Sequence, residues 1–452
     1  GCRQSFDPMK NVLIVAYYFP PSGGPGVQRV LKMVKYLPDF GWNPIVLTVE
    51  NGTFPARDES LLATLPPDLV VHRTHIYEPY DLYKLFVGEK QNTAIDVSVL
   101  TTKQSGGWKK RLANFIRSTF FIPDARIGWM FTAVKEGRKM IEKYDIDAIY
   151  SSSPPYTCSL IGRQLHRHTW LPWVAGLRDP WTDFLTTPKR WWLPARIDKA
   201  LEHSVLKEAE IVECAWKGII TDALRKYPHL VAEKFLHVPN GYDSDEFPDV
   251  EQRRNEHFTI TYSGSLYGLR NPDTLLSALN HLLESGEITA DDVLLRCVGR
   301  VGDDVITKFH AHPLRDRIEI VPYVPHKESV AYLLRSDALL LIVDDAKESN
   351  EIVPGKVYEY IGVCKPVIAL APKQSAIGDL LQETRAGEVI SYGDVSACAQ
   401  TLRVMIGRWR NGESLYAPDM EAIRSYERRE AARTLASTLD GLCAQTDSSA
   451  LP

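Results

Sequence analysis

Strand-like and helix-like segments alternate over most of the 452 residues, which predicts an α/β protein with parallel sheets. Two further observations divide it. The length exceeds one ordinary core. The polar run 244–256, rich in Asp, Glu and Arg, follows a turn signal at Pro239-Asn240-Gly241-Tyr242-Asp243 and separates two alternating stretches. The expected organisation is a first domain at 9–243, a linker at 244–257, a second domain at 258–420, and a C-terminal helix and tail at 421–452.

The first domain opens with an apolar strand at 11–16, a Gly/Pro loop, a helix from about 27 to 37 and a strand at 44–49. Strands at 148–150, 173–177, 211–214 and 236–238 continue the pattern. The second domain begins with a strand at 258–262, followed by strands at 293–298, 318–321, 338–343, 366–370 and 388–390. The run at 338–343 is wholly apolar and reads as a buried strand. A short helix is expected at 357–363. The last helix, about 421–442, carries Ile423, Ala431, Leu435, Leu439 and Leu442 at helical spacing. Residues 445–452 read as a disordered tail. Two Rossmann-like domains facing a cleft follow from this layout.

Hydrophobic residues make up 44 % of the chain, enough for packed cores. The formal net charge of −4 argues against a general nucleic-acid binder. The seven cysteines are scattered without metal-type pairing and read as small buried residues of a reducing compartment. No run is long and apolar enough to cross a bilayer, and no signal peptide is visible. Met9 reads as a natural start, so Cys2 is not taken as a lipid site.

The stretch 351–359 is the most informative. Glu351 and Glu359 flank Pro354, Gly355 and Lys356, with seven residues between the carboxylates. It lies where a strand hands over to a helix, which is where parallel sheets bind ligands. Pro354 suits the first helical turn, whose free N–H groups favour a phosphate. Lys356 in that turn opposes the helix dipole unless an anion sits before it. Glu359 is one turn along, and its carboxylate accepts well from paired sugar hydroxyls. The competing reading is a surface Lys356–Glu359 ion pair at helical spacing.

This arrangement resembles the Glu-x7-Glu motif of retaining GT-B glycosyltransferases of glycosyltransferase family 4. The resemblance implies that Glu359 grips the ribose of a nucleotide. Glu351 and the backbone after it, Pro354 and Gly355 included, hold the transferred sugar, and Lys356 faces the diphosphate. It extends from 11 to about 439 and implies the GT-B fold, with the last helix crossing back to the first domain.

Other loops match in order. Gly23-Gly24-Pro25-Gly26 follows the first strand. Read alone it is a tight turn or a close approach to a ligand, and it is not G-x-G-x-x-G, so a nicotinamide dehydrogenase is poorly supported. The family carries a Gly-Gly loop here beside the sugar and diphosphate, which Gly24 or Gly26 can supply. In the second domain Ser265 and Arg270 follow the first strand. The family places two cations there as a diphosphate clamp. Arg270 matches the second, Ser265 replaces the first, and Lys356 is the substitute; read alone, Arg270 is an exposed loop arginine. Base contacts in such folds are largely backbone, near 298–300 and Tyr323-Val324. Arg178-Asp179 ends a strand of the first domain, where family members carry His or Asp. Asp179 then orients a sugar hydroxyl or assists the acceptor, or else the two residues form a pair that fixes the loop before Pro180.

Asp344-Asp345 is weak as a metal site. The resemblance implies no metal and no cofactor beyond the nucleotide-diphosphate sugar donor. It also implies an enzyme that stabilises its leaving group with Arg270, Lys356 and a helix start, the leaving phosphate helping to deprotonate a hydroxyl acceptor. The acceptor expected is a glycan or polyprenyl-linked intermediate of cell-surface glycan synthesis. A GT-B nucleotide-sugar 2-epimerase and a non-catalytic nucleotide-sugar-binding module are the alternatives. The segments 108–121 and 189–193 mix cations with aromatics. That composition suits either a peripheral membrane contact, placing a cytoplasmic protein at the inner face of the cell membrane, or an amphipathic helix packing its aromatics inward.

Overall fold

The computed structural model describes residues 9–77, 115, 118–184, 187–344 and 353–449. The chain forms two compact units, Gly1–Asn240 with Arg428–Pro452, and Gly241–Glu427.

The first unit is built on a seven-stranded parallel sheet of order β3-β2-β1-β4-β5-β6-β7. Its strands are β1 (Lys10–Ala16), β2 (Trp42–Val49), β3 (Val70–Thr74), β4 (Ala148–Ser153), β5 (Trp173–Leu177), β6 (Ile211–Cys214) and β7 (Phe235–His237). Helices α1 (Pro25–Tyr36), α2 (Met130–Lys143), α3 (Thr157–Thr169), α4 (Trp192–Glu208) and α5 (Lys217–Lys226) connect them. Both faces are covered. Leu13 and Val15 of β1 enter one core with Trp129 and Trp173, while Val12, Ile14 and Ala16 enter the other. That is why β1 reads as a continuous apolar run rather than an alternating one.

The second unit holds a six-stranded parallel sheet of order β10-β9-β8-β11-β12-β13. It comprises β8 (Phe258–Ser263), β9 (Val293–Val298), β10 (Ile318–Val321), β11 (Ala338–Ile342), β12 (Val367–Leu370) and β13 (Gly387–Ile390). Its helices are α6 (Asp273–Glu284), α7 (Asp303–Ala311), α8 (His326–Leu334), α9 (Lys356–Gly362), α10 (Ala376–Thr384), α11 (Val395–Asn411) and α12 (Met420–Arg424). Strand β11 again serves two cores, Leu340 and Ile342 on one face, Leu339 and Leu341 on the other. The sheet reverses direction between β8 and β11, the switch point where open α/β sheets leave a crevice at their carboxyl ends.

Four differences from expectation have physical causes. Strand β3 was not anticipated: it is an edge strand with every residue half-buried or exposed, and His72 and Arg73 interrupt its apolar run. The expected last helix is two. Helix α12 ends at Arg424, and α13 (Arg428–Ser449) starts after Glu427 makes a β-bridge with Tyr242; the Tyr242 N–H donates to Tyr426 O at 3.1 Å. Backbone drawn into that pairing cannot continue the helix. Helix α13 then runs to Ser449, past the point where a disordered tail was expected, and packs Ala432, Leu435, Ala436 and Leu439 against Val30, Met33 and Val34 of α1. Lastly, Pro354 is not in the first helical turn. The N-cap of α9 is Gly355 and the helix begins at Lys356, so Pro354 lies one residue outside. Among the described residues no helix is long and apolar enough to cross a membrane.

Candidate functional site

Helix α9 buries Val357, Tyr358, Tyr360 and Ile361. Each apolar side chain so buried contributes roughly 1.5–3 kcal/mol, which sets the roll of the helix. Lys356 and Glu359, three residues apart, are thereby left on its other side, over the carboxyl ends of β8 and β11.

Lys356 reaches back under the loop after β8. Its Nζ donates to Tyr262 Oη at 3.0 Å and to Ser263 O at 2.9 Å, and lies 4.4 Å from the Tyr262 ring centroid. Tyr262 Oη in turn donates to Ser265 O at 3.0 Å, and Ser263 N–H donates to Tyr360 Oη at 2.9 Å. The loop makes room only because residue 264 is glycine. Gly264 has φ +130°, and a Cβ there would stand 2.6 Å from Lys356 Nζ. Burial, followed by the repulsion of Arg270, pulls the Lys356 ammonium down to about 8. An ammonium held at that cost, with two of its three N–H groups used by the described residues, favours an anion.

Arg270 supplies the second cation. Its Nε and Nη2 lie 2.7 and 2.9 Å from Asp344 Oδ1 and Oδ2, and its positive charge acts on the Tyr262 phenol. Burial alone would lower its pKa, but the hydrogen bond with Asp344 and the charges around it leave it raised. The side chains are 30 % and 45 % exposed, so solvent and solutes reach both. Ser265, in the place of a missing cation, contributes its carbonyl. Arg270 and Lys356, the two cations expected of the clamp, thus both lie near Tyr262.

Glu359 neither sinks into the core nor stands alone in water. It is 33 % exposed, with Oε1 2.7 Å from His326 Nε2 at the start of α8. Val324, two residues before, is half-buried, and its neighbour Tyr323 is 87 % exposed. No Lys356–Glu359 ion pair forms among the described residues; each finds other partners. Glu351 lies outside the described residues, as do 108–114 and 116–117. Gly355 is exposed, and a Cβ there would meet nothing within 4 Å.

The first unit has its own switch point, between β1 and β4. Gly24, at φ +89°, is the N-cap of α1. Arg178, at the end of β5, ties these loops together. Its Nη1 donates to Gly26 O at 3.0 Å and Ser152 Oγ at 2.9 Å, and its Nη2 donates to Pro154 O. The loop is thus fixed by arginine to main chain, not by an Arg178–Asp179 pair. Asp179 makes no side-chain hydrogen bond among the described residues, and burial raises its pKa against the pull of Arg178. It is the better placed of the two for a substrate hydroxyl.

The aromatics at 189–193 do not pack inward as a buried amphipathic helix would. Trp192 is 72 % exposed, and Trp191, Leu193 and Ile197 are also exposed. Arg190 does go inward. It pairs with buried Asp198 at 2.9 Å and donates to the carbonyls of Ser118, Phe121 and Pro123.

Comparison with known proteins bears on the fold and the family. Residues 243–409 match the family described as "Glycosyl transferases group 1". That match covers most of the second unit. No curated protein matches the chain by sequence. Among solved structures it is similar to a glycosyltransferase from Rickettsia africae, with 15 % identity over 97 % of each chain and a TM-score of 0.52. It is similar to a lipopolysaccharide outer core galactosyltransferase, with 13 % identity over 97 % of this chain and 99 % of that one and a TM-score of 0.53. It is similar also to a UDP-N-acetylglucosamine 2-epimerase, with 12 % identity over 96 % of each chain and a TM-score of 0.51. These likenesses establish the GT-B fold. Within the second unit, sequence reasoning missed Tyr262, Gly264, His326 and Asp344. Asp344 carried a signal, a carboxylate just past a buried strand at a sheet reversal. Tyr262 carried none, because its strand reads as plain core.

Proposed function

We propose that this protein transfers a sugar from a nucleotide-diphosphate sugar to a hydroxyl acceptor, with retention at the anomeric carbon. The observation that carries the reading is the pair of cations, Arg270 and Lys356, converging on Tyr262 at the sheet reversal of a unit matched to group 1 glycosyl transferases. As the bond to the sugar breaks, charge builds on the diphosphate. Two preplaced cations in a partly desolvated site stabilise that charge without reorganising. In this reading they do so with no metal ion. Glu359 accepts from the ribose hydroxyls, releasing His326, while Val324 and the backbone at Pro354 and Gly355 line the base and sugar. Asp179, just past β5, serves the acceptor side.

The acceptor we favour is a polyprenyl-linked or growing glycan intermediate of cell-surface polysaccharide synthesis, used by a cytoplasmic enzyme at the inner membrane face. Support comes from exposed Trp191, Trp192, Leu193 and Ile197 beside exposed Lys189 and Arg196, a mixture that suits an anionic lipid surface.

The test is a panel of nucleotide sugars incubated with the protein, with release of nucleoside diphosphate followed. One donor is expected to be consumed, slowly by water and faster with a lipid-linked acceptor. Lys356→Ala and Glu359→Ala should weaken donor binding; unchanged affinity in both would remove the assignment. Recovery of an altered nucleotide sugar, with no nucleoside diphosphate released and no sugar on an acceptor, would favour epimerisation instead.

A further inference from the structure

The Arg270–Asp344 pair is anchored on both sides. Both partners are held from behind. The loop carrying Arg270 is pinned by Leu266 N–H to Arg300 O at 2.9 Å, by Gly302 N–H to Leu266 O at 2.8 Å, and by Gly268 N–H to Asp304 Oδ2 at 3.0 Å. Asp344 follows Val343, whose N–H donates to Leu370 O at 3.1 Å and whose carbonyl accepts from Tyr392 Oη at 2.6 Å. Two pinned backbones thus present a guanidinium edge to a carboxylate in two-point geometry, while the pair stays part-exposed. A phosphate fits the same edge in the same way. Without Asp344, the repulsion between Arg270 and Lys356 would be offset only by the more distant Glu359.

We propose that Asp344 is a place-holding anion on the donor clamp. It occupies the edge of Arg270 that the donor's diphosphate takes, is displaced when the donor binds, and returns to help the nucleoside diphosphate leave. This rests on the proposed donor site and assigns within it a residue that sets affinity from the repulsive side. Two oxygen sources compete in turn for one guanidinium edge: the carboxylate at rest, the diphosphate in the complex, and the carboxylate again as product departs. No covalent step is involved. Part exposure is what makes the exchange feasible, since an exposed ion pair breaks at little cost, whereas a sealed one would not yield to a ligand.

The experiment compares wild type with Asp344→Asn by isothermal titration calorimetry, using inorganic pyrophosphate and a series of nucleoside diphosphates (UDP, GDP, ADP, dTDP). It is run at pH 6.5, where Lys356 is charged in both proteins. Asn keeps the size and removes the competing charge. Asp344→Asn is expected to bind the recognised diphosphate about three- to fivefold more tightly, the fold-change of one exposed ion pair. In the Arg270→Ala background the same substitution should change nothing. Equal or weaker binding by Asp344→Asn, with thermal unfolding unchanged, would overturn the place-holder and leave a positioning or purely structural pair. A wild type that binds none of these ligands would overturn the donor reading itself, a separate failure. Steady-state kinetics gives a second readout. The place-holder requires a lower donor KM together with stronger product inhibition in Asp344→Asn, a combination that loss of mere positioning does not produce.

Discussion

The two units bury charge in opposite ways. In the first, Arg29 of α1 is 2 % exposed and Glu213 of β6 is 1 % exposed. Arg29 donates through Nε to Glu213 Oε1 at 3.0 Å, through Nη1 to Pro239 O and Asn240 Oδ1 at 3.3 Å, and through Nη2 to Val238 O at 2.8 Å as well as to Glu213. Tyr150 Oη donates to the same carboxylate oxygen at 3.0 Å. Burial alone would lower the pKa of Arg29, but Glu213 and Tyr150 hold it above its ordinary value. Both side chains are closed to solvent, Glu213 Oε2 included, although that oxygen has no hydrogen-bond partner among the described residues. In the second unit, Arg270 and Lys356 keep spare donors, a part-exposed counter-ion and a lysine whose charge is marginal. A cation satisfied by its own chain is architecture; one left half-satisfied at a sheet reversal is a candidate site.

Breaking the sealed cluster should have the largest effect. Arg29→Ala strands the Glu213 carboxylate in the core and is expected to cost about 3–5 kcal/mol in urea unfolding, while pyrophosphate binding by the folded fraction stays unchanged. A variant as stable as wild type would erase the contrast. Lys356→Ala should show the reverse profile. Donor turnover should fall roughly 10²- to 10³-fold, with the unfolding free energy moving far less than in Arg29→Ala, because removing a desolvated ammonium also removes its burial cost.

Smaller effects sharpen the contrast. Glu359→Gln, measured by nucleoside-diphosphate titration, should weaken binding about ten- to a hundredfold, the loss of hydrogen bonds to a charged acceptor. pH should matter only to the open cluster. Lys356 is an ammonium below about pH 8 and neutral above it, so diphosphate affinity should hold on the acid side and decline as pH rises through 8. The decline is at most about tenfold per unit. Binding at pH 8 should be accompanied by proton uptake, seen as a buffer-dependent calorimetric heat, because a bound anion raises the lysine's pKa. Lys356→Arg should flatten the profile up to pH 9, since a guanidinium does not titrate there.

Most of the sheet was legible in the chain because strands covered on both faces are written as unbroken apolar runs. The strands at 173–177, 211–214 and 293–298 match expectation to the residue, and so does β10 at 318–321, an edge strand whose run is broken by Glu319. Edge strand β3 carries no such run and escaped notice. The break between α12 and α13 is equally silent in the sequence, since its cause is a bridge to Tyr242, far away along the chain. At the site, Arg270, Lys356 and Glu359 stood out as charges after apolar strands. Their partners did not: Asp344 read as half of a poor metal motif, and His326 as an ordinary helix start.

Local chemistry therefore determined the α/β class, the two alternating units, the loops that follow β1, β8 and β11, and the charged side chains they carry, because hydrophobic periodicity and glycine placement act over a few residues. Only the tertiary structure decided which charges are sealed and which stay open. Arg29 meets Glu213 across 184 residues and Arg270 meets Asp344 across 74, and whether such a meeting buries both groups or leaves an edge to solvent depends on how helices cover the sheet at that point. Charge pairing is a property of distance in space, which the order of residues along the chain does not record.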